Sequence, residues 1–336
     1  MNDQNLMKFM NILIKPLISF FKLLIPQKYR FKVAKAILGD KKLFKLLGHK
    51  HIDKAEIEQK IKIFGNTSGV FEGKRTPRLI VSLTSYPERM NDLKYTLYSL
   101  FNQSLKPDEI VLWLSYEELS DKENSINDDI LNFKKNGLAI KFCHNVKSYN
   151  KLIPTLKEYQ NCIIVTADDD VYYDTNWLEK LYMAYQENTQ YIHCHRAHKI
   201  LFDKNGKLKP YNLWEHKIDG KQAKPSFLNF FTGVGGVLYP PNSLYKDILN
   251  ETLFLKLTPT SDDIWFWAMA VLQGTKTNVV NENINKLTYV NIEIELGLTA
   301  GNALNKINVI LGKNDENLKN VFEFYNIYDK LLEKKY

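Results

Sequence analysis

CIIVTADDDVYYDTNW, residues 162–177, opens with three β-branched residues, Ile163, Ile164 and Val165, and passes directly into three carboxylates, Asp168, Asp169 and Asp170. A short β-branched apolar run reads as a strand buried on both faces. Beyond the acids, Asn176 stands in the capping position of a helix that carries Trp177, Leu178, Leu181 and Tyr185 at helical spacing. Three acidic side chains therefore sit at the carboxyl end of a buried strand, where open α/β sheets place their ligands. Carboxylates this close repel one another unless a cation lies between them. Oxygen-only donors suit a hard divalent ion, Mn²⁺ or Mg²⁺, which would in turn bind phosphate. The competing reading is a solvated acidic turn, and the rest of the chain has to decide.

Outward from this stretch the pattern alternates. Residues 79–83 form an apolar strand, followed by the polar turn Thr84-Ser85-Tyr86-Pro87-Glu88-Arg89 and a helix marked by Leu93, Leu97, Leu100 and Phe101. Residues 110–114 and 138–142 read as further strands, 153–159 as a short helix, and 191–195 as another strand. Alternation of this kind predicts an α/β fold, a doubly wound and mainly parallel sheet flanked by helices. FLNFFTGVGGVLY (227–239) is aromatic and glycine-rich, and reads as a bulged strand in a mixed sheet or as a close approach of backbone to ligand. Asp262 and Asp263 precede the apolar helix IWFWAMAVL (264–272), where Ser261 or Asp262 would cap it and the helix dipole favours acids. An amphipathic helix is expected from about Glu316 to Leu332.

The 336-residue chain carries a net charge of +8, unevenly spread. Residues 1–75 hold 14 Lys and 2 Arg against 3 Asp and 3 Glu, a balance of +10, which leaves −2 for the remainder. The acid-bearing part is therefore no nucleic-acid groove. The organisation expected is a basic helical extension with a turn-rich linker over 1–75 and an α/β domain over 76–336. Within 5–25, Leu6, Phe9, Met10, Leu13, Leu17, Phe20, Phe21 and Leu24 form a helical stripe, with Lys8, Lys15 and Lys22 opposite. The stripe is shorter than a spanning helix needs and lacks a small-residue cleavage site. It predicts a helix lying on an anionic membrane surface through residues 5–45, or one docked on the main domain. Three scattered cysteines make no disulfide framework.

Taken together, residues 78–275 resemble the GT-A fold of nucleotide-sugar glycosyltransferases, and within it the bacterial family-2-type enzymes of surface polysaccharide and lipo-oligosaccharide synthesis. Four motifs carry the resemblance in order: VSLTSYPER (81–89), VTADDD (165–170), FTGVGGVLYPP (231–241) and SDDIWFW (261–267). It implies that Asp168 and Asp170 hold Mn²⁺ or Mg²⁺ against the diphosphate of a nucleotide-sugar donor, most simply a UDP-sugar. It also implies that Asp169 contacts the ribose or the metal's water. Thr84, Tyr86 and Arg89 would line the nucleotide pocket, and Lys147 or Lys151 would reach the diphosphate. Asp263, with Asp262 beside it, would be the general base that takes the acceptor's proton, with inversion at the anomeric carbon. The acceptor would be a glycan or glycolipid, and the setting the cytoplasmic face of a bacterial inner membrane.

The chain departs from the family at several points. Its second strand ends LWLSYEE (112–118) without an Asp-Asp-Gly-Ser, and the first acid of the base pair is Asp262 rather than Glu. The Gln-x-x-Arg-Trp signature of processive enzymes is absent, which favours one sugar per encounter, and no histidine follows His216. His193, His195 and His198 could hold zinc, line the cleft beside Arg196, or be plain strand residues. A sugar nucleotidyltransferase would need a glycine-rich loop after the first strand, and residues 82–90 contain no glycine. A non-catalytic binding protein is the third reading, and the intact acids oppose it.

Overall fold

Four apolar runs become parallel strands: β1 (Leu79–Thr84), β2 (Glu109–Ser115), β3 (Leu138–Cys143) and β4 (Ile163–Thr166). They are seen in a computed structural model that describes residues 50, 52–119, 121–291, 308 and 312–332. The 5–45 segment and the turns expected at Gly297 and Gly301 lie outside the described residues. By contacts the chain divides into Met1–His51 and Ile52–Tyr336, and every element named below belongs to the latter.

The sheet grows by β6 (Ile192–Cys194), β9 (Val237–Tyr239) and β10 (Thr277–Val279), in the order β10-β6-β9-β4-β1-β2-β3. Pairings are parallel except that β9 runs antiparallel between β4 and β6. The expected fold class, a mixed and mainly parallel sheet flanked by helices, is the one that forms. Because β9 is reversed, β6 points the same way as β4. The carboxyl ends of β1, β2, β4 and β6 and the amino end of β9 share one edge. Two small ribbons accompany the sheet: β5 (Val171–Tyr172) with β11 (Thr288–Tyr289), and β7 (Ala197–Lys199) with β8 (Asn229–Phe231).

Helices cover both faces. On one side α1 (Lys54–Phe64), α2 (Met90–Phe101) and α4 (Trp177–Glu187) bury Ile57, Leu93, Leu97, Phe101, Trp177 and Leu181 in a single core with the strands. Residues 52–64, which the charge pattern groups with the basic extension, thus supply Ile52 and Ile57 to the core of the α/β unit. On the other side lie α3 (Ile153–Glu158), α5 (Glu251–Leu257), α6 (Asp262–Gln273) and α7 (Lys313–Tyr325). α6 reads DDIWFWAMAVLQ, apolar all round after its first turn, and such a helix must be enclosed. Ile264 to Val271 are all buried, and Trp265 and Trp267 donate their indole N–H groups to the carbonyls of Ile248 and Phe227. The single C-terminal helix expected from Glu316 to Leu332 is two, α7 and α8 (Ile327–Leu332), broken at Asn326 with φ of 51°.

Candidate active site

The acidic turn leaves β4 at the shared edge and is held at three points. The Asp168 amide donates to the Tyr173 hydroxyl (2.8 Å), Ser85 Oγ donates to Asp169 Oδ2 (2.6 Å), and Thr96 donates to the Asp169 carbonyl (2.9 Å). Asn176 begins α4 as expected, but its side chain makes no capping hydrogen bond. The helix start is fixed instead by the Trp177 indole, which donates to the Gly235 carbonyl (2.8 Å), and by Gln103, which accepts from the Leu178 amide (3.0 Å).

Arg89 ends the polar turn after β1 and enters the acids. Its Nη1 lies 2.7 Å from Asp169 Oδ1 and 2.5 Å from Asp170 Oδ2, and its Nε donates to the Tyr86 hydroxyl (2.9 Å). Lys151, almost fully buried, does the same on the other side: Nζ is 2.6 Å from Asp168 Oδ1 and 3.1 Å from Asp262 Oδ2. The second contact is an ion pair without hydrogen-bond alignment, so Asp262 Oδ2 is buried with no hydrogen-bond partner. Asp263 Oδ1 accepts the Gly233 amide at 2.9 Å. A side chain at Gly233 would press on both groups, because a Cβ would stand 2.8 Å from Asp263 Oδ1 and 3.0 Å from Lys151 Nζ. Gly236 is required by a φ of +90° and by the Trp177 ring, 2.4 Å from where its Cβ would be.

The electrostatics follow from crowding. Five carboxylates, Asp168 to Asp170 with Asp262 and Asp263, share the two cations Arg89 and Lys151. Burial, with Asp262 alongside, raises Asp263 to about 7, opposed by Lys151. Burial also raises Asp169 to about 6 and lifts Asp170, in both cases against the pull of Arg89. Burial works against the charge on Lys151, but Asp168, Asp262 and Asp263 outweigh it and hold the ammonium well above its usual range.

The sequence-derived candidates are therefore brought together in part. Arg89, Lys151, Asp168, Asp169, Asp170, Asp262 and Asp263 form one cluster. Asp169 is turned inward, anchored on Ser85 and Arg89, rather than presented to a ligand. The Thr84 hydroxyl is committed to the Trp113 carbonyl of β2 (2.9 Å), and Tyr86 is 40% exposed at the rim beneath the Arg89 guanidinium. Lys147 is exposed, with φ of 60°, and makes no contact with the acids. The histidines are neutral core groups. His193 Nε2 bonds the Asn188 carbonyl, His195 bonds the Trp177 carbonyl and the Ile284 amide, and His198 accepts the Lys217 amide.

Sequence reasoning missed the anchoring roles of Ser85 and Tyr173, and the Gly233 amide as a partner of Asp263. Ser85 sits inside the quoted 81–89 motif. The other two had no signal, because each contact joins residues made neighbours only by the fold.

A divalent ion can be tested against this donor set. Asp168 and Asp170 have part-exposed side chains, at 24% and 25%. Each keeps a second oxygen that no described residue engages. With every group charged, the cluster holds three more negative charges than positive. Among the described residues no group of three or more His, Cys, Asp or Glu is arranged to enclose a metal. This fits a cation held by one or two carboxylates and shared with substrate phosphates, and does not fit a closed protein cage.

No family model matches the chain, and no curated protein matches it. Among solved structures, the mannosyltransferase PcManGT from Pyrobaculum calidifontis, in complex with GDP-Man and Mn²⁺, is similar with a TM-score of 0.39 at 13% identity. The match covers 67% of this chain and 61% of that one, so the chain spans about three fifths of that protein's length. Similarity at that level speaks for neither activity nor substrate. Among the described residues no helix is long and apolar enough to cross a membrane.

Proposed function

We propose that the chain is a metal-dependent, inverting GT-A glycosyltransferase that moves one sugar from a nucleotide-sugar, a UDP-sugar, to a glycan or glycolipid acceptor in cell-surface polysaccharide or lipo-oligosaccharide synthesis. One observation supports this above the rest. Two sets of acids on separate elements, the β4 turn and the first turn of α6, meet across the single buried ammonium of Lys151 at the ligand-binding edge of the sheet.

The geometry supports the following division of labour. Mn²⁺ or Mg²⁺ held by Asp168 and Asp170 would supply Lewis-acid neutralisation of the leaving diphosphate. Arg89 offers five N–H donors in a planar fork, more than Asp169, Asp170 and Tyr86 use, and suits a phosphate oxygen arriving beside them. Tyr86, exposed and adjacent, presents an aromatic face at the nucleotide end. Asp263 accepts the proton of the acceptor hydroxyl as the new bond forms. Its raised value of about 7 lies where a general base works best, and the Gly233 amide, by occupying Oδ1, leaves Oδ2 for the acceptor hydroxyl. Attack from the Asp263 side, opposite the diphosphate, inverts the anomeric centre.

Asp263→Asn tests this reading. Transfer should fall by about 10²–10⁴-fold, the usual worth of a positioned base, while nucleotide affinity stays within about twofold. Surviving turnover would remove Asp263 from the mechanism. Residues 5–45, basic and apolar by turns, would hold the enzyme to anionic headgroups at the cytoplasmic face of the inner membrane. Fractionation with and without residues 1–27 checks this, and equal solubility would count against membrane contact.

A further inference from the structure

Among the described residues, Arg196 is a cation at this edge of the sheet with no acidic partner. It follows β6 at the shared edge, two strands from the acidic turn. Its backbone carbonyl accepts the Thr232 amide at 3.0 Å, and Gly235 packs so tightly on it that a Cβ there would stand 2.7 Å from Arg196 Cβ. The start of the side chain is thus locked against the loop whose Gly233 amide holds Asp263. The Arg196 Nε is buried with no hydrogen-bond partner, and the guanidinium forms no ion pair among the described residues. The contrast is within the site itself: Arg89 has two carboxylates, Lys151 has two, and Arg196 has none. A buried N–H donor left without a partner is unfavourable, and an arriving oxyanion would satisfy the Arg196 Nε–H.

Position says which anion. Gly233 and Gly235 belong to one short turn, so the Arg196 Cβ on which Gly235 packs stands beside the backbone that binds Asp263, on the side of the general base. The diphosphate end already has Arg89 and Lys151. His198, beside Arg196, is held neutral by burial and by that positive charge, so it adds no second cation.

We propose that Arg196 binds an oxyanion, a carboxylate or phosphate, carried by the acceptor, so that the enzyme glycosylates an acidic saccharide or phosphosaccharide. This rests on the glycosyltransferase reading. The planar fork matches either group bidentately, and such charge-assisted bonds fix orientation as well as affinity.

The test follows the Arg196 Nε–H signal by ¹⁵N NMR, assigned by its loss in Arg196→Gln. Inorganic phosphate, methyl glucuronide and methyl glucoside are titrated into full-length protein, free and saturated with Mn²⁺ and whichever of UDP or GDP binds. Phosphate and glucuronide should shift the signal in both states and bind about tenfold more tightly than methyl glucoside. Arg196→Gln should remove that preference and Arg196→Lys keep part of it, with nucleotide affinity unchanged in both variants. Equal binding of glucuronide and glucoside would overturn the proposal. So would a nucleotide that itself shifts the signal and blocks phosphate, because the anion would then be the donor's. If no nucleotide binds while the anion preference persists and depends on Arg196, the anion site stands and the transferase reading fails.

Discussion

Replacing Lys151 with methionine keeps the side-chain length and removes the ammonium that joins the two acid sets. Its side chain is 8% exposed, and its partners Asp168 and Asp262 are 24% and 10% exposed. Removing one member of a buried ion pair costs about 3–5 kcal/mol, because the remaining charges stay buried. At about 2 °C per kcal/mol for a domain of this size, the melting temperature should fall by roughly 6–10 °C. Two further readouts identify the cause. Unpaired acids take up protons as pH falls, so the deficit should be smaller at about pH 6 than at about pH 8.5. A divalent ion drawn to the uncovered carboxylates also restores stability, by about 2.7 kcal/mol at a hundredfold excess over its dissociation constant. Added Mn²⁺ should therefore raise the variant's melting temperature more than the wild type's. Differential scanning fluorimetry at both pH values, with and without Mn²⁺, measures all of this. A variant melting within about 1 °C of wild type at both pH values would refute the bridging role of Lys151.

Two other perturbations follow. Gly233→Ala puts a methyl group 2.8 Å from Asp263 Oδ1 and must displace that carboxylate; a shift of up to about 1 Å should cost on the order of 10²-fold in turnover with nucleotide affinity intact, and unchanged kinetics would dissociate the glycine loop from the base. Burial lowers His193 and His195 from their usual 6.5 to about 4, so the unfolded chain binds more protons than the folded one between those values. Stability is then full above about pH 6.5 and lost as pH falls toward 4, by about 2 kcal/mol per histidine at pH 5; urea midpoints that do not fall between about pH 7.5 and pH 5 would contradict the assigned neutral tautomers.

The strands and the acidic turn were legible because they are local. Ile163 to Val165, three β-branched residues in a row, read as a buried strand, and Asp168 to Asp170 follow where it ends. The antiparallel run of β9 was less legible, since VLY pairs equally well in either direction and only the chain's path over the sheet decides. Capping by Asn176 was a sound local expectation that tertiary contacts at Trp177 and Gln103 replaced. Charge grouping placed residues 52–64 with the basic extension, whereas Ile52 and Ile57 are core residues. In the site, residue types were readable but partnerships were not. Arg89 read as a phosphate ligand and is found on Asp169 and Asp170; Lys147 and Lys151 read alike, yet one is exposed and the other sits at the centre of the cluster. Those distinctions come from side-chain direction, which sequence spacing does not carry.

The most direct measurement is calorimetric titration of the full chain with UDP, GDP and CMP, each with Mn²⁺ and with chelator, in wild type and in Asp168→Asn. The account predicts that one nucleotide, UDP by expectation, binds only when Mn²⁺ is present and about tenfold or more weakly in the variant. A folded protein that binds none of them, or binds one equally well with chelator and with Asp168 replaced, would contradict the assignment of the acidic turn to a metal-bridged nucleotide-sugar.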